Sequence, residues 1–172
     1  MLDTCILINL LATDRIAEIV NVIAPSCLIC SAVSRESLYL RPREPDAQPE
    51  AINLAPLFEA GILTPCDIEG ATEEGLYVNY ASELEDGEAM SLAIAQARNF
   101  ALATDDRKTR RVIEENISGL LTVSTVEIVR AWAGGNDLAK VSAVVRSIQA
   151  RARFHPPDSD PLSRWWNELL KG

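Results

Sequence analysis

The chain of 172 residues is short of several things, and each shortage closes off a class of protein. It has one histidine, His155, and one C-x-x-C, Cys27-Leu28-Ile29-Cys30, with no second pair to match it. A zinc centre built on imidazole and paired thiolates is therefore not its organising chemistry. The four cysteines read instead as reduced thiols, with Cys27 and Cys30 in a buried strand. No apolar run approaches about 18 residues, so no transmembrane helix is expected. Asp3 interrupts the apolar N-terminus and no basic segment precedes it, so no secretory leader is read there and the cytoplasm is the expected location. Aromatic residues make up only 5%, yet 48% of the chain is hydrophobic, too much for a disordered polymer. The length suits a single domain of residues 1–172. Positive charge is also scarce. A net charge of -9 argues against gripping nucleic acid by electrostatics alone.

The charge is unevenly spread. Residues 1–90 hold 16 acids and 4 bases, whereas residues 91–172 hold 9 acids and 12 bases. So acidic a first half is either a solvated surface or a set of carboxylates that converges on a cation.

Strand and helix patterns alternate along the chain. Met1–Asp3 reads as the end of a strand, and Thr4 as the cap of a helix over Cys5–Leu11. A helix capped by Thr13 or Asp14 runs to about Ile23. Ser26–Ser31 reads as a strand, Ala32–Leu40 as a helix, 41–50 as a proline-rich loop and Ala51–Ala60 as a helix. A strand over Ile62–Ile68 and a helix over 70–84 follow. Asp86–Arg98 is apolar nearly all round, which predicts a buried helix. Phe100–Thr104 and Leu120–Ser124 read as strands, with a basic helix over Asp106–Asn116 between them. Helices over Val126–Ala133, Asp137–Phe154 and Pro161–Leu170 complete the chain, residues 135–172 reading as a helical appendage. Strands spaced by helices predict an α/β sandwich on a mainly parallel sheet.

Ligands of such a sheet lie beyond the C-terminal ends of its strands. Asp3 and Asp105 each follow a strand there, and Glu88 opens the most apolar helix. Glu36 has Val33, Ala32 and Leu40 at helical spacing, which places its carboxylate on a buried face. A buried carboxylate is costly unless paired or bound to a metal. Four such acids without imidazole suit Mg²⁺ or Mn²⁺.

These residues resemble the motifs of the PIN-domain family. The first is Asp3-Thr4-Cys5-Ile6-Leu7-Ile8, and the second is Ser34-Arg35-Glu36-Ser37-Leu38. The third runs from Asp86-Gly87-Glu88-Ala89-Met90 to Ala95 and is closest to the G-E-A-type branch of VapC-like toxins. The fourth is Leu102-Ala103-Thr104-Asp105-Asp106-Arg107-Lys108. The resemblance covers roughly residues 1–130. It implies a three-layer α/β/α sandwich with a five-stranded sheet, and a Mg²⁺- or Mn²⁺-dependent ribonuclease that leaves a 5′-phosphate. Asp3, Glu36, Glu88 and Asp105 would then be the catalytic, metal-holding acids. No side-chain nucleophile is needed, because water activated at the ion attacks. Thr4 and Thr104 would orient those acids by hydrogen bonds, and Asp106 beside them would cap the next helix or help bind the ion. Arg107, Lys108 and Arg111, from the basic run, would clamp RNA phosphates, Arg107 being nearest the site.

The same resemblance implies partners: an RNA substrate, a small antitoxin protein if the chain is the toxin of a toxin–antitoxin pair, and a second copy in a homodimer. Trp132, Trp165 and Trp166 could line an apolar interface or fill a core. The competing reading is a non-catalytic PIN-like module that binds RNA or protein.

Overall fold

The computed structural model describes every residue except 25, 37, 45 and 172. In chain order its elements are α1 (Thr4–Leu11), α2 (Ile16–Ile23), β1 (Cys27–Cys30), α3 (Ser31–Arg35), β2 (Tyr39–Leu40), β3 (Glu50–Ala51), α4 (Ala55–Glu59) and β4 (Leu63–Cys66). Then come α5 (Gly70–Tyr80), α6 (Asp86–Arg98), β5 (Leu102–Ala103), α7 (Arg107–Asn116), β6 (Thr122–Val123), α8 (Thr125–Ala133), α9 (Leu138–Ser147), a π-helical turn over Ile148–Ala152, and α10 (Ser163–Lys171). The chain is α/β, as its alternating pattern predicts. It forms two compact units: Met1–Leu7, Ser26–Glu36 and Asn53–Ser124 in the first, and Ile8–Pro25, Ser37–Ile52 and Thr125–Gly172 in the second.

In the first unit, β1 pairs in parallel with β4 and β5 pairs in parallel with β6. The N-terminal residues bond to both pairs. Leu2 donates its amide to Leu28 O at 2.8 Å, and Asp3 donates to Ala103 O at 3.1 Å. The expected regular five-stranded sheet is absent among the described residues. Two two-stranded ladders stand in its place, with Leu2 as a single bridging residue. The reason is local. Helix α1 starts at Thr4 and cuts the first strand short, β5 and β6 are two residues long, and Pro65 removes a backbone donor from β4.

Helix α6 is the spine of this unit. Its buried positions, Gly87, Ala89 and Ser91 to Ala95, are small except for Leu92 and Ile94, so α5, α3 and β1 can all pack against it. Leu92, Ala93 and Ala95 join Tyr80, Leu84, Leu102, Val112 and Ile113 in the core. Near-uniform burial is why no single polar face is visible in its sequence.

Several boundaries differ from the sequence reading. The helix expected over Ala32–Leu40 ends at Arg35, and Glu36 is extended (φ -64°, ψ 143°). Tyr39 and Leu40 pair with Ala51 and Glu50 instead, Leu40 being buried and Tyr39 exposed in strand alternation. Residue 37 of that expected helix lies outside the described residues. The helix expected over Ala51–Ala60 shrinks to α4, which starts late because Asn53 Oδ1 accepts the Ala55 amide at 3.0 Å and Pro56 occupies the first turn. Helix α5 stops at Tyr80, short of the expected residue 84. The expected helix over Asp137–Phe154 closes with the π turn, and Arg153 turns left-handed (φ 60°) to end it.

In the second unit, Arg151 of the π turn is the central polar residue. Its side chain is 5% exposed, and it reaches Asp14 Oδ1 at 3.0 Å, Ala12 O at 2.9 Å and Glu50 Oε2 at 2.5 Å. Trp132 and Trp166 are core residues of this unit, and Phe154 meets Trp166 edge-on at 5.5 Å. Trp165 lies half-buried under the Arg130 guanidinium. Among the described residues, no helix is long and apolar enough to cross a membrane.

Replacing Arg151 with alanine leaves Glu50 and Asp14 without their buried cation. Both acids are about half exposed, so water recovers part of the loss. The expected cost is about 2 kcal/mol in a urea titration, and an unchanged midpoint would show that the network is not structural.

Candidate functional site

All four acids singled out in the sequence lie in the first unit. Asp3 is the most enclosed, at 1% exposure. It stands where the bridging segment turns into α1, and it caps that helix. Its Oδ1 accepts the Ile6 amide at 3.0 Å, and its backbone oxygen accepts the Leu7 amide at 3.0 Å. The cap is therefore Asp3 and not Thr4, because the chain leaves the strand one residue earlier than its pattern suggests. The second oxygen, Oδ2, is buried without a hydrogen-bond partner.

Burial drives the Asp3 carboxyl up to about 6, further than the Cys5 thiol, the Thr104 hydroxyl and the Ile6 amide can hold it down, and Asp105 adds repulsion. Cys5 ties the two aspartates together. Its Sγ donates to Asp3 Oδ1 at 2.9 Å and accepts the Asp105 amide at 3.2 Å. The sequence reading gives Cys5 no role. Its position two residues after a helix-capping aspartate is the available signal.

Glu88 sits in the first turn of α6, where Glu85 is the cap. The two glutamates form a capping box, with Glu88 Oε2 accepting the Glu85 amide at 3.3 Å. Burial first, and then repulsion from Asp106, Glu85 and Asp3, raise the Glu88 carboxyl to about 7 against the opposing Glu85 amide.

Glu36 follows α3 and is exposed, so the buried helical face expected for it is not found. Partial desolvation still raises its carboxyl, with Glu85 and Asp86 adding to the rise and the Thr4 hydroxyl opposing it. Its seat is Gly87. A Cβ built there would collide with Glu36 Oε1 and stand 3.3 Å from Thr4 Oγ1 and from Val33 Cγ2. Glycine at 87 is thus what lets the second acid reach the helix that carries the third.

The remaining residues divide by role. Thr104 is buried, and its hydroxyl accepts the Asp106 amide at 3.1 Å. Asp106 caps α7 through the Thr109 amide at 2.7 Å. Arg110, which has no role of its own in the sequence reading, grips Thr104 O through two bonds of 2.9 and 2.6 Å and so steadies the segment that presents Asp105. Lys108 is bonded to Glu83 O. Arg107 and Arg111 are exposed on α7.

Every charge that acts strongly on Asp3, Glu88 and Glu36 is another carboxylate. Such a group carries surplus negative charge and one buried, unpartnered oxygen. The donor set is all hard oxygen, which suits Mg²⁺ or Mn²⁺. Among the described residues no three carboxylate, thiol or imidazole side chains are gathered closely enough to hold one ion, and Glu88 is engaged in its cap. The chemistry of the set therefore fits a divalent cation, while its carboxylates stand apart around Asp3 and must close in to share one ion.

The family model DUF3368, a PIN domain, matches residues 1–159. Comparisons with curated proteins and with solved structures returned no match.

Two outcomes follow from this geometry. A carboxyl whose folded pKa is raised stabilises the fold below its unfolded pKa and loses that contribution as pH rises through its folded value. Without divalent cations, Asp3→Asn should be more stable than the parent at pH 8, on the order of 2 kcal/mol, with the gap closing toward pH 4. Thermal melts across that range check the sign, and a less stable variant at pH 8 would contradict it. Gly87→Ala should displace Glu36 and weaken Mn²⁺ binding about tenfold with the far-ultraviolet dichroism unchanged. Equal Mn²⁺ affinity by calorimetry would remove Glu36 from the site.

Proposed function

The chain belongs to the PIN-domain family, and from that premise we propose that it is a divalent-metal-dependent ribonuclease. PIN domains are nuclease-type proteins. The observation that carries the finer reading is Asp3 Oδ2, a sealed carboxylate oxygen with no donor, among carboxylates that raise one another. A bound ion would supply the positive charge that lets this acidic surface accept a phosphodiester and would acidify a water molecule.

The chain's own residues have defined tasks in this reading. Asp3 and Asp105, tied together by Cys5, would be the first residues to hold the ion. Glu88 would be free to join once its 3.3 Å cap bond to the Glu85 amide is released. Glu36 approaches beside Gly87. Asp106 stays in its cap and keeps α7 aimed so that exposed Arg107 and Arg111 can meet RNA phosphates. We assign the toxin role of a toxin–antitoxin pair to the same reading. Its support is electrostatic, since a net charge of -9 suits a small cationic inhibitor protein.

The test is direct. Purified protein with Mn²⁺ or Mg²⁺ should cleave single-stranded or structured RNA to 5′-phosphate ends. Asp3→Asn and Asp105→Asn should each lower the rate by about 100-fold or more. Absent cleavage, or cleavage unchanged from the parent in both variants, would overturn the catalytic assignment and favour the non-catalytic binding module.

A further inference from the structure

Beside Glu36 the first unit carries a cleft of about 280 Å³ lined by Ala32, Arg35, Glu36, Tyr77, Asp86 and Met90. Its contents are mixed in an informative way. One aromatic ring, one thioether and one methyl group give it apolar walls. One guanidinium and two carboxylates give it charge. The walls are held in place. Arg35 Nη2 donates to Ser31 Oγ at 2.6 Å, and Ser31 Oγ lies 3.8 Å from Met90 Sδ. The Tyr77 hydroxyl donates to Asp86 Oδ1 at 3.3 Å. A pre-ordered cleft of this size, at the edge of a carboxylate assigned to the reaction, suits one nucleoside.

We propose that this cleft is a base-binding subsite and that it selects guanine in single-stranded RNA. The proposal rests on the ribonuclease reading for its biological sense, though its chemistry can be tested alone. Single-stranded RNA is recognised through unstacked bases that lie on aromatic rings and guanidinium planes and bond along their edges. Tyr77 and Arg35 supply those two surfaces. The edge partners are carboxylates, which when ionised only accept hydrogen bonds, and each oxygen accepts more than one. Asp86 can therefore hold the Tyr77 hydroxyl and a base together. Guanine alone places two donors side by side on its Watson–Crick edge, N1–H and the N2 amino group. Adenine and cytosine each set one amino donor beside an acceptor, and uracil sets one N–H between two carbonyls. With Arg35 bonded to Ser31 and offering its plane for stacking, the carboxylate edge pairs with guanine and repels the lone pairs of the other three.

Neutral nucleosides probe this without phosphate repulsion or metal. Guanosine, adenosine, cytidine and uridine are titrated into the full chain, metal-free, and followed by amide chemical shifts in NMR. Guanosine should bind about tenfold tighter than uridine and shift the residues of the cleft. Asp86→Asn should erase the preference, because its amide offers a donor where guanine needs an acceptor. Tyr77→Phe should keep the stacking and the preference, whereas Tyr77→Ala should weaken all four. Four equal affinities, no binding, or a preference that survives Asp86→Asn would each overturn the proposal. These outcomes stand whether or not the protein cleaves RNA, so failure of the subsite and failure of the nuclease reading are separate results.

Discussion

The structure is organised around one sealed carboxylate. Asp3 is 1% exposed and serves two purposes with its two oxygens. Oδ1 is spent locally, capping α1 and receiving the Cys5 thiol. Oδ2 is left buried without a donor. A carboxylate in that state is tolerated only if it takes up a proton or a cation, and burial has already moved its titration toward neutrality. Its neighbours make the demand stronger. Asp105 repels it from the end of β5, and Glu88 feels it from the start of α6.

The rest of the first unit is the frame that keeps these groups near one another against their repulsion. Bonds from residues 1–3 to Leu28 and Ala103 fix the bridging segment that carries Asp3. Arg110 holds Thr104 O, and Cys5 holds the Asp105 amide. Small residues along α6 let it approach α3 closely enough for Glu36 to lie over Gly87. The order of effects is decided by magnitude. Packing of Leu92, Ile94, Leu102 and their neighbours contributes several kcal/mol, which outweighs the modest cost of carboxylates that can share protons when no cation is bound.

Much of this is legible in the sequence alone. Asp105 follows a strand in the sequence pattern and does so in the structure, whereas Asp3 follows only the single bridging residue Leu2. The apolar run behind Glu88 announces a buried helix, and α6 spans the expected residues. Asp106 is expected to cap α7, and it does. What is not legible depends on partners distant in sequence. Glu36 looks helical and buried because Val33 and Leu40 stand at helical spacing, but Leu40 is committed to pairing with Glu50. The thiol bridge of Cys5 needs Asp105, a hundred residues away. Gly87 looks like an ordinary glycine until Glu36 is placed against it. The regular five-stranded sheet fails for a local reason, since strands of two residues and Pro65 cannot sustain a long ladder. The family match to residues 1–159 also runs past the stretch in which motifs can be read.

In the proposed ribonuclease, Asp3 Oδ2 is the oxygen assigned to a divalent cation. A crystal of the protein soaked in Mn²⁺ and measured by anomalous diffraction tests this assignment most directly. The expected result is an anomalous peak within coordination distance of Asp3 Oδ2, roughly 2.0–2.6 Å, with Asp105 among the nearest side chains. A well-diffracting soaked crystal with no peak there, or with Mn²⁺ bound only at the surface acids of the second unit, would contradict it.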